Sequence, residues 1–198
     1  IEKSDVRFYL DKEYEELGFE VTEDLSDCDI LFGVKEIPIE YLIPNKKYFF
    51  FSHTIKKQPH NQQLLQSIID KKIDLYDYEA VTDVNGKRLI GFGRYAGLVG
   101  AYNAFRLFGL KFELFKLPKA ENMHDKDVMI QRLKNQILPP IKIVVTGKGR
   151  VGSGIKELLK AVKIKEVEIQ DFLSKKYDRP VFTQIESTDY FKRIDGVE

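Results

Sequence analysis

The chain is predicted to be a parallel α/β protein built from two sheet domains, and three features point to that fold class. Apolar strand-like runs alternate with amphipathic helical stretches along most of its 198 residues, the pattern of strands joined by helical crossovers. Two of those runs, 29–34 and 48–52, are apolar almost throughout, as in strands of a covered parallel sheet. A glycine-rich segment, TGKGRVGSG at 146–154, opens a second strand–turn–helix unit about a hundred residues further on.

The elements follow in order. Positions 11–17 are predicted to form a short helix closed by Gly18. A short strand is expected at 19–22, and a polar turn at 26–29 leads into strand 29–34. The segment 35–47 holds Pro38 and Pro44, and its length suits a crossover better than a hairpin. Strand 48–52 precedes a helix at 60–72 with Leu64, Leu65, Ile68 and Ile69 on one face. Strand 73–78, a turn at Asn85-Gly86 and strand 89–92 come next, then a Gly- and Ala-rich helix at 95–108 ending at Gly109. Residues 116–127 are polar and irregular, and a linker helix at 125–137 is stopped by Pro139-Pro140. A strand at 141–145 then begins a new unit, which divides the chain into domains 1–138 and 139–198.

Composition narrows the class. Hydrophobic residues make up 43% of the chain, enough for a sizeable core. Lys and Arg number 32 against 31 Asp and Glu, so no global charge draws the chain to nucleic acid or an acidic membrane. The single cysteine, Cys28, excludes an intramolecular disulfide and suits a reducing cytoplasm. No apolar run reaches the roughly 18 residues of a membrane span, and the first residues lack the pattern of a signal peptide. The chain starts at Ile1 and runs only one βαβ unit past the glycine motif, so it is expected to be a fragment of a longer protein, the alternative being a complete small protein with an unusually short second domain.

Gly147-Lys148-Gly149-Arg150-Val151-Gly152 is a G-x-G-x-x-G with a strand before it, a helix at 151–163 and a strand at 167–169 after it. That context is the dinucleotide-binding one. The first glycine permits a tight turn, the second lets backbone approach a pyrophosphate, and the third allows close helix packing. Asp171, 24 residues after Gly147, is expected at the end of the next strand, where a carboxylate accepts ribose hydroxyls and favours NAD over NADP. Lys163 and Lys165 nearby blur that preference. The bland alternative is a glycine-rich strand-to-helix turn that binds nothing.

Lys35 and His53 each follow an apolar run. Ligands of open α/β sheets bind beyond the carboxyl ends of the strands, so both side chains are expected in one crevice as an acid–base pair. The bland alternatives are a solvated Lys35 beside Glu36 and a core His53 with a satisfied hydrogen bond. Lys56, Glu79, Arg88 and Arg94 supply charge nearby, and either arginine offers a fork to a carboxylate. His60 and His124 sit in polar contexts and read as surface. No cluster has metal-ligand spacing, so no metal is expected. Ser52 lacks a nucleophile elbow, which disfavours a hydrolase.

The segments GVKEIP, YFFFSHTIKKQPHN, LYDYE, GKRLIGFGRYAGLVG and GKGRVGSG together resemble saccharopine dehydrogenase of the lysine-forming type. They also resemble the lysine–ketoglutarate reductase half of the bifunctional lysine-degrading enzyme. Both belong to the superfamily of alanine dehydrogenase and transhydrogenase subunits. The likeness runs from about Ser4 to about Asp171. It implies two Rossmann-like domains with the active site in the cleft between them, the second domain incomplete in this chain. It implies interconversion of saccharopine with lysine plus 2-oxoglutarate, using NAD, with NADP as the alternative cofactor. It makes Lys35 and His53 the acid–base pair, sets Lys56, Glu79 and Arg88 along the substrate site, and puts Arg7 at its edge. The implied partners are small molecules, not nucleic acid or membrane. The family's first strand, with its own substrate-holding arginine, has no counterpart here, nor has most of its cofactor domain. Related alanine- or opine-type dehydrogenases and a non-catalytic nucleotide-binding module remain the competing expectations.

Overall fold

The computed structural model describes residues 1–192 and 194. The chain divides into two compact units, Ile1–Gly91 and Phe92–Glu198.

The first unit holds helix α1 (Asp11–Glu16), strands β1 (Ile30–Lys35) and β2 (Lys47–Phe51), helix α2 (Gln62–Asp70) and strand β3 (Asp74–Asp77). The three strands form a parallel sheet in the order β1-β2-β3. Tyr48 and Phe50 point to one face and are buried with Leu31, Leu42, Leu64, Ile68 and Ile73. This is the face covered by the apolar side of α2. The crossover from β1 to β2 is tied down by Lys71, whose ammonium donates to the carbonyls of Ile39 (2.9 Å) and Leu42 (2.6 Å). On the opposite face Phe32, Phe49 and Tyr76 stack in a row, with ring centroids 4.7 and 4.5 Å apart. Phe32 remains exposed there, so in this unit the apolar runs are buried by alternation, not on both faces.

Three expectations in this unit need correcting. Residues 19–22 form no strand; Thr22 makes only an isolated parallel bridge to Glu2. Residues 89–92 form none either. The chain turns at Asp83, whose carboxylate accepts from Asn85 N and Lys87 N, and a single Thr82–Arg88 bridge closes the loop. Local side-chain bonding here replaces the ladder. The predicted helix 60–72 starts as a 3₁₀ turn at Pro59–Asn61 and becomes α-helical only from Gln62.

The second unit contains α3 (Gly93–Lys111), α4 (Lys126–Lys134), β4 (Lys142–Thr146), α5 (Arg150–Ala161), β5 (Lys165–Glu166), α6 (Ile169–Ser174), β6 (Val181–Ile185) and α7 (Ser187–Tyr190). Its strands are parallel in the order β4-β6-β5. Helices α3 and α5 cross at backbone contact: a Cβ on Gly97 would lie 2.1 Å from Val151 O, and one on Gly154 would lie 2.0 Å from Arg94 O. Leu98, Tyr102, Phe105, Leu133, Val145, Leu158, Leu159 and Phe182 build one core. The buried Tyr102 hydroxyl is satisfied by donating to Pro118 O at 2.9 Å.

The compact units therefore divide at Gly91/Phe92 and not near 138. Pro139-Pro140 interrupts the chain locally, but Met129 and Leu133 of α4 and the whole inner face of α3 share the core of β4 and α5. Helix α3 also runs past the predicted stop at Gly109, which is buried within it. The strand expected at 167–169 is shorter and earlier, and Ile169 already begins α6. Among the described residues no helix is long and apolar enough to cross a membrane.

Candidate functional site

The first site is built at the carboxyl end of the β1-β2-β3 sheet. Lys35 is the last residue of β1 and pairs in register with Phe51, the last residue of β2, after an irregularity that follows Phe32. His53 comes two residues beyond Phe51 and takes a left-handed conformation, φ 56° and ψ 6°. That conformation is uncommon for a side-chain-bearing residue and persists where its surroundings over-determine it. Those surroundings are polar. Ser52 is fully buried; its hydroxyl bonds to the Asp77 carboxylate and lies 2.7 Å from Thr54 Oγ1. Thr54 N donates back to Ser52 Oγ at 3.1 Å, and buried Asn61 donates to the His53 carbonyl at 3.3 Å. The other Asp77 oxygen accepts from Glu79 N at 2.8 Å, so one carboxylate orders both sides of the site.

Glu79 stands at the centre. Its side chain is only 2% exposed, and His53 Nδ1 lies 2.9 Å from Oε2. Lys56 Nζ approaches Oε1 at 3.5 Å and Arg88 Nη2 at 3.1 Å. Burial pushes the carboxyl pKa up, but the His53 hydrogen bond and the charges of His53, Lys56 and Arg88 outweigh it, leaving it below its ordinary value. Lys56 Nζ also lies 3.3 Å from Nδ1, but the shorter 2.9 Å contact is to an ionised carboxylate, which only accepts hydrogen bonds and so favours a proton on Nδ1. Nε2 is then the ring nitrogen available to exchange a proton.

The sheet edge thus gathers His53, Lys56, Glu79 and Arg88 into one cluster, with Lys35 at the neighbouring strand end. Among the described residues Lys35 has no ion-pair partner, not even adjacent Glu36. Arg7 spends its guanidinium on other partners. Its guanidinium donates to Glu2 O (2.9 Å), Tyr9 O (3.0 Å) and Asp11, and stacks 4.3 Å over Tyr14. Arg94 gives its fork to Glu157 in the second unit, at 2.6 and 2.7 Å. Glu79 is a buried anchor for the cations around it. Ser52, Asp77 and Asn61 escaped the sequence reading. Their only signal is position, since each is polar within or beside an apolar run.

The second site is the turn between β4 and α5. Gly147 adopts φ +82°, the left-handed turn for which its type is suited. A Cβ on Gly152 would lie 2.1 Å from Gly147 O, so the helix packs directly on the turn. A Cβ on Gly149 would meet nothing within 4 Å, and Gly149 is the N-cap of α5 with Arg150 and Val151 in the first turn. An open approach to backbone N–H groups at the start of a 12-residue helix fits a pyrophosphate. Gly147, Gly149, Arg150, Val151 and Gly152 would hold it. Asp171 departs from its expected place. It lies in the first turn of α6 and pairs with Lys175 at 2.8 Å, because the strand expected before it ends at Glu166.

Two parallel α/β units, one with a cluster of ionisable side chains at the carboxyl end of its sheet and one with a glycine-rich strand-to-helix turn, define the Rossmann-like class. The sequence profile of the alanine dehydrogenase/PNT N-terminal domain matches residues 1–99, and the chain belongs to that family. Alpha-aminoadipic semialdehyde synthase of Arabidopsis thaliana is 33% identical over 81% of the chain and 17% of its own length. The mitochondrial synthase of Mus musculus is 31% identical over 100% of the chain and 24% of its own length. Lysine-forming, NAD(+)-dependent saccharopine dehydrogenase of Yarrowia lipolytica is 26% identical over 85% of the chain and 50% of its own length. The chain therefore spans between about a sixth and a half of these relatives. An L-alanine dehydrogenase structure shares the fold, with TM-score 0.50 and 15% identity over 91% of this chain and 50% of that one.

Proposed function

We propose that the chain is part of an NAD(P)-dependent oxidoreductase acting on a secondary amine, interconverting saccharopine with lysine plus 2-oxoglutarate. The observation that carries this is the His53–Glu79 pair, which leaves Nε2 free for proton exchange beside a lysine at the next strand end. Relatives named for saccharopine and aminoadipic semialdehyde chemistry support the substrate class.

The residues divide the work by chemistry. Lys35 accepts the proton of the secondary ammonium, freeing the nitrogen lone pair. When bound, the nicotinamide supplies the acceptor for the hydride on the carbon next to that nitrogen. His53 Nε2 removes a proton from the water that adds to the resulting iminium carbon, returns it to the nitrogen, and then accepts the hydroxyl proton of the carbinolamine as the carbonyl forms and lysine departs. Glu79 holds the ring in one tautomer and one orientation. Lys56 and Arg88 place positive charge at the edge of the cluster, where substrate carboxylates are held.

The test is NADH oxidation by the full-length protein with lysine plus 2-oxoglutarate, against pyruvate plus ammonia. Turnover with the first pair alone supports the proposal. Turnover with the second pair alone makes it an alanine dehydrogenase-type enzyme, and turnover with neither overturns the catalytic reading.

A further inference from the structure

We propose that Glu186, with Lys148 beside it, reads the 2′ position of the adenosine ribose and sets the choice between NAD and NADP. This rests on the glycine-rich turn being the pyrophosphate site.

Strand order decides which carboxylate can serve. Ligands of open α/β sheets bind outside the carboxyl ends of the strands, so a dinucleotide on the glycine turn meets the residues that emerge from the strand beside it. In sequence the next strand after the turn is β5, which is why Asp171 is the natural candidate. In space β5 is the outer strand, and β6 lies between it and β4. The β4–β6 register ends at Thr146↔Ile185, so the residue that emerges alongside Gly147 is Glu186. The two strand ends are joined: Gly147 N donates to Ile185 O at 2.7 Å, and Gln184 Nε2 donates to Gly147 O at 2.9 Å. Glu186 N donates to Asp189 at 2.7 Å, which fixes its backbone. Asp171, by contrast, is committed to Lys175 on a helix beyond β5.

Lys148, between the first two glycines of the motif, brings its ammonium to 3.7 Å from Glu186, and the two side chains are 55% and 48% exposed. A solvated pair of that kind is worth little and is readily given up to a ligand. The Glu186 carboxylate then accepts the ribose hydroxyls and repels a 2′-phosphate. With Glu186 neutralised, Lys148 is left as a cation facing that phosphate.

Fluorescence titration of the full-length protein with NADH and NADPH tests this without reference to turnover. The parent protein should prefer NADH. Glu186→Gln should move the NADH/NADPH affinity ratio toward NADPH by about tenfold or more, the scale of one charged hydrogen bond. Adding Lys148→Ala to that variant should remove the NADPH gain, and Asp171→Ser should leave the ratio as it is. An unchanged ratio in Glu186→Gln overturns the proposal, as does a shift produced by Asp171→Ser. Gly149→Val separates the two levels. If it abolishes binding of both cofactors while Glu186→Gln leaves the ratio unaltered, the turn is the pyrophosphate site and only the Glu186 assignment falls. If the parent protein binds neither cofactor, both fall.

Discussion

The ring of His53 and the carboxylate of Glu79 are held together, with Nδ1 2.9 Å from Oε2 and the carboxylate almost wholly out of solvent. Neither residue reaches this contact by sequence proximity. His53 follows β2 and Glu79 follows β3, and it is the parallel pairing of Phe50 with Asp77 that brings the two strand ends together. His53 itself takes a left-handed backbone conformation where the chain leaves β2.

Replacing either member of the proposed acid–base pair should reduce turnover and spare cofactor affinity. His53→Gln and Lys35→Met are each expected to lower kcat by about 100- to 10,000-fold, the usual contribution of a general acid or base. NADH titration should be unchanged, because the glycine turn belongs to the other compact unit. Parent-like kcat in both variants would remove them from the mechanism.

Glu79→Gln should make the fold less sensitive to acid. The folded carboxyl pKa lies below its ordinary value of 4.5, so ionised Glu79 favours the folded state. That contribution is complete above the unfolded value and disappears as pH falls through the lowered folded one. Urea unfolding at pH 7 is expected to show a loss of about 1–3 kcal/mol. The larger penalty for orphaning a buried charge does not apply, since His53, Lys56 and Arg88 all reach solvent. Equal acid sensitivity in variant and parent would contradict this account.

Ser52→Ala should show what holds the His53 backbone. The hydroxyl is fully buried between Asp77 and Thr54, and its removal leaves Asp77 short of a partner. A stability loss of about 1–3 kcal/mol is expected, together with a fall in kcat smaller than that of His53→Gln and little change in KM. A variant as stable and as active as the parent would show the network to be dispensable.

The glycines of the turn should separate binding from folding. Gly149→Val places its side chain in open space, so thermal unfolding should be close to parental while NADH affinity falls. Gly152→Val drives a Cβ into Gly147 O, and the second unit should unfold at lower temperature or fail to fold. The same melting temperature for the two variants would contradict the packing described here.

Legibility varied with how local each determinant was. Strands near 29–34, 48–52 and 73–78 and the glycine turn were plain, because apolar runs and glycine spacing are local signals. The strand at 181–185 was overlooked, although VFTQI lies between Pro180 and Glu186 and carries Val, Phe, Thr and Ile. The strands expected at 19–22 and 89–92 failed for the opposite reason: apolar residues were present, but the neighbouring chain makes only the single bridges Glu2–Thr22 and Thr82–Arg88, too few for a ladder. The division at 138 followed a proline pair, whereas the compact units follow shared cores.

By itself the sequence determined the parallel α/β class, the tight turn at Gly147 and the placement of Lys35 and His53 at strand ends, since these depend on periodicity, glycine geometry and short spacing. Only the tertiary structure decided that Glu79 anchors His53 from the next strand, that Arg7 and Arg94 are occupied elsewhere, and that β6 rather than β5 lies beside the glycine turn. Those are outcomes of strand order and of competition among partners. Neither is encoded at any one position, because a charged side chain pairs with whatever the fold brings within a few ångströms.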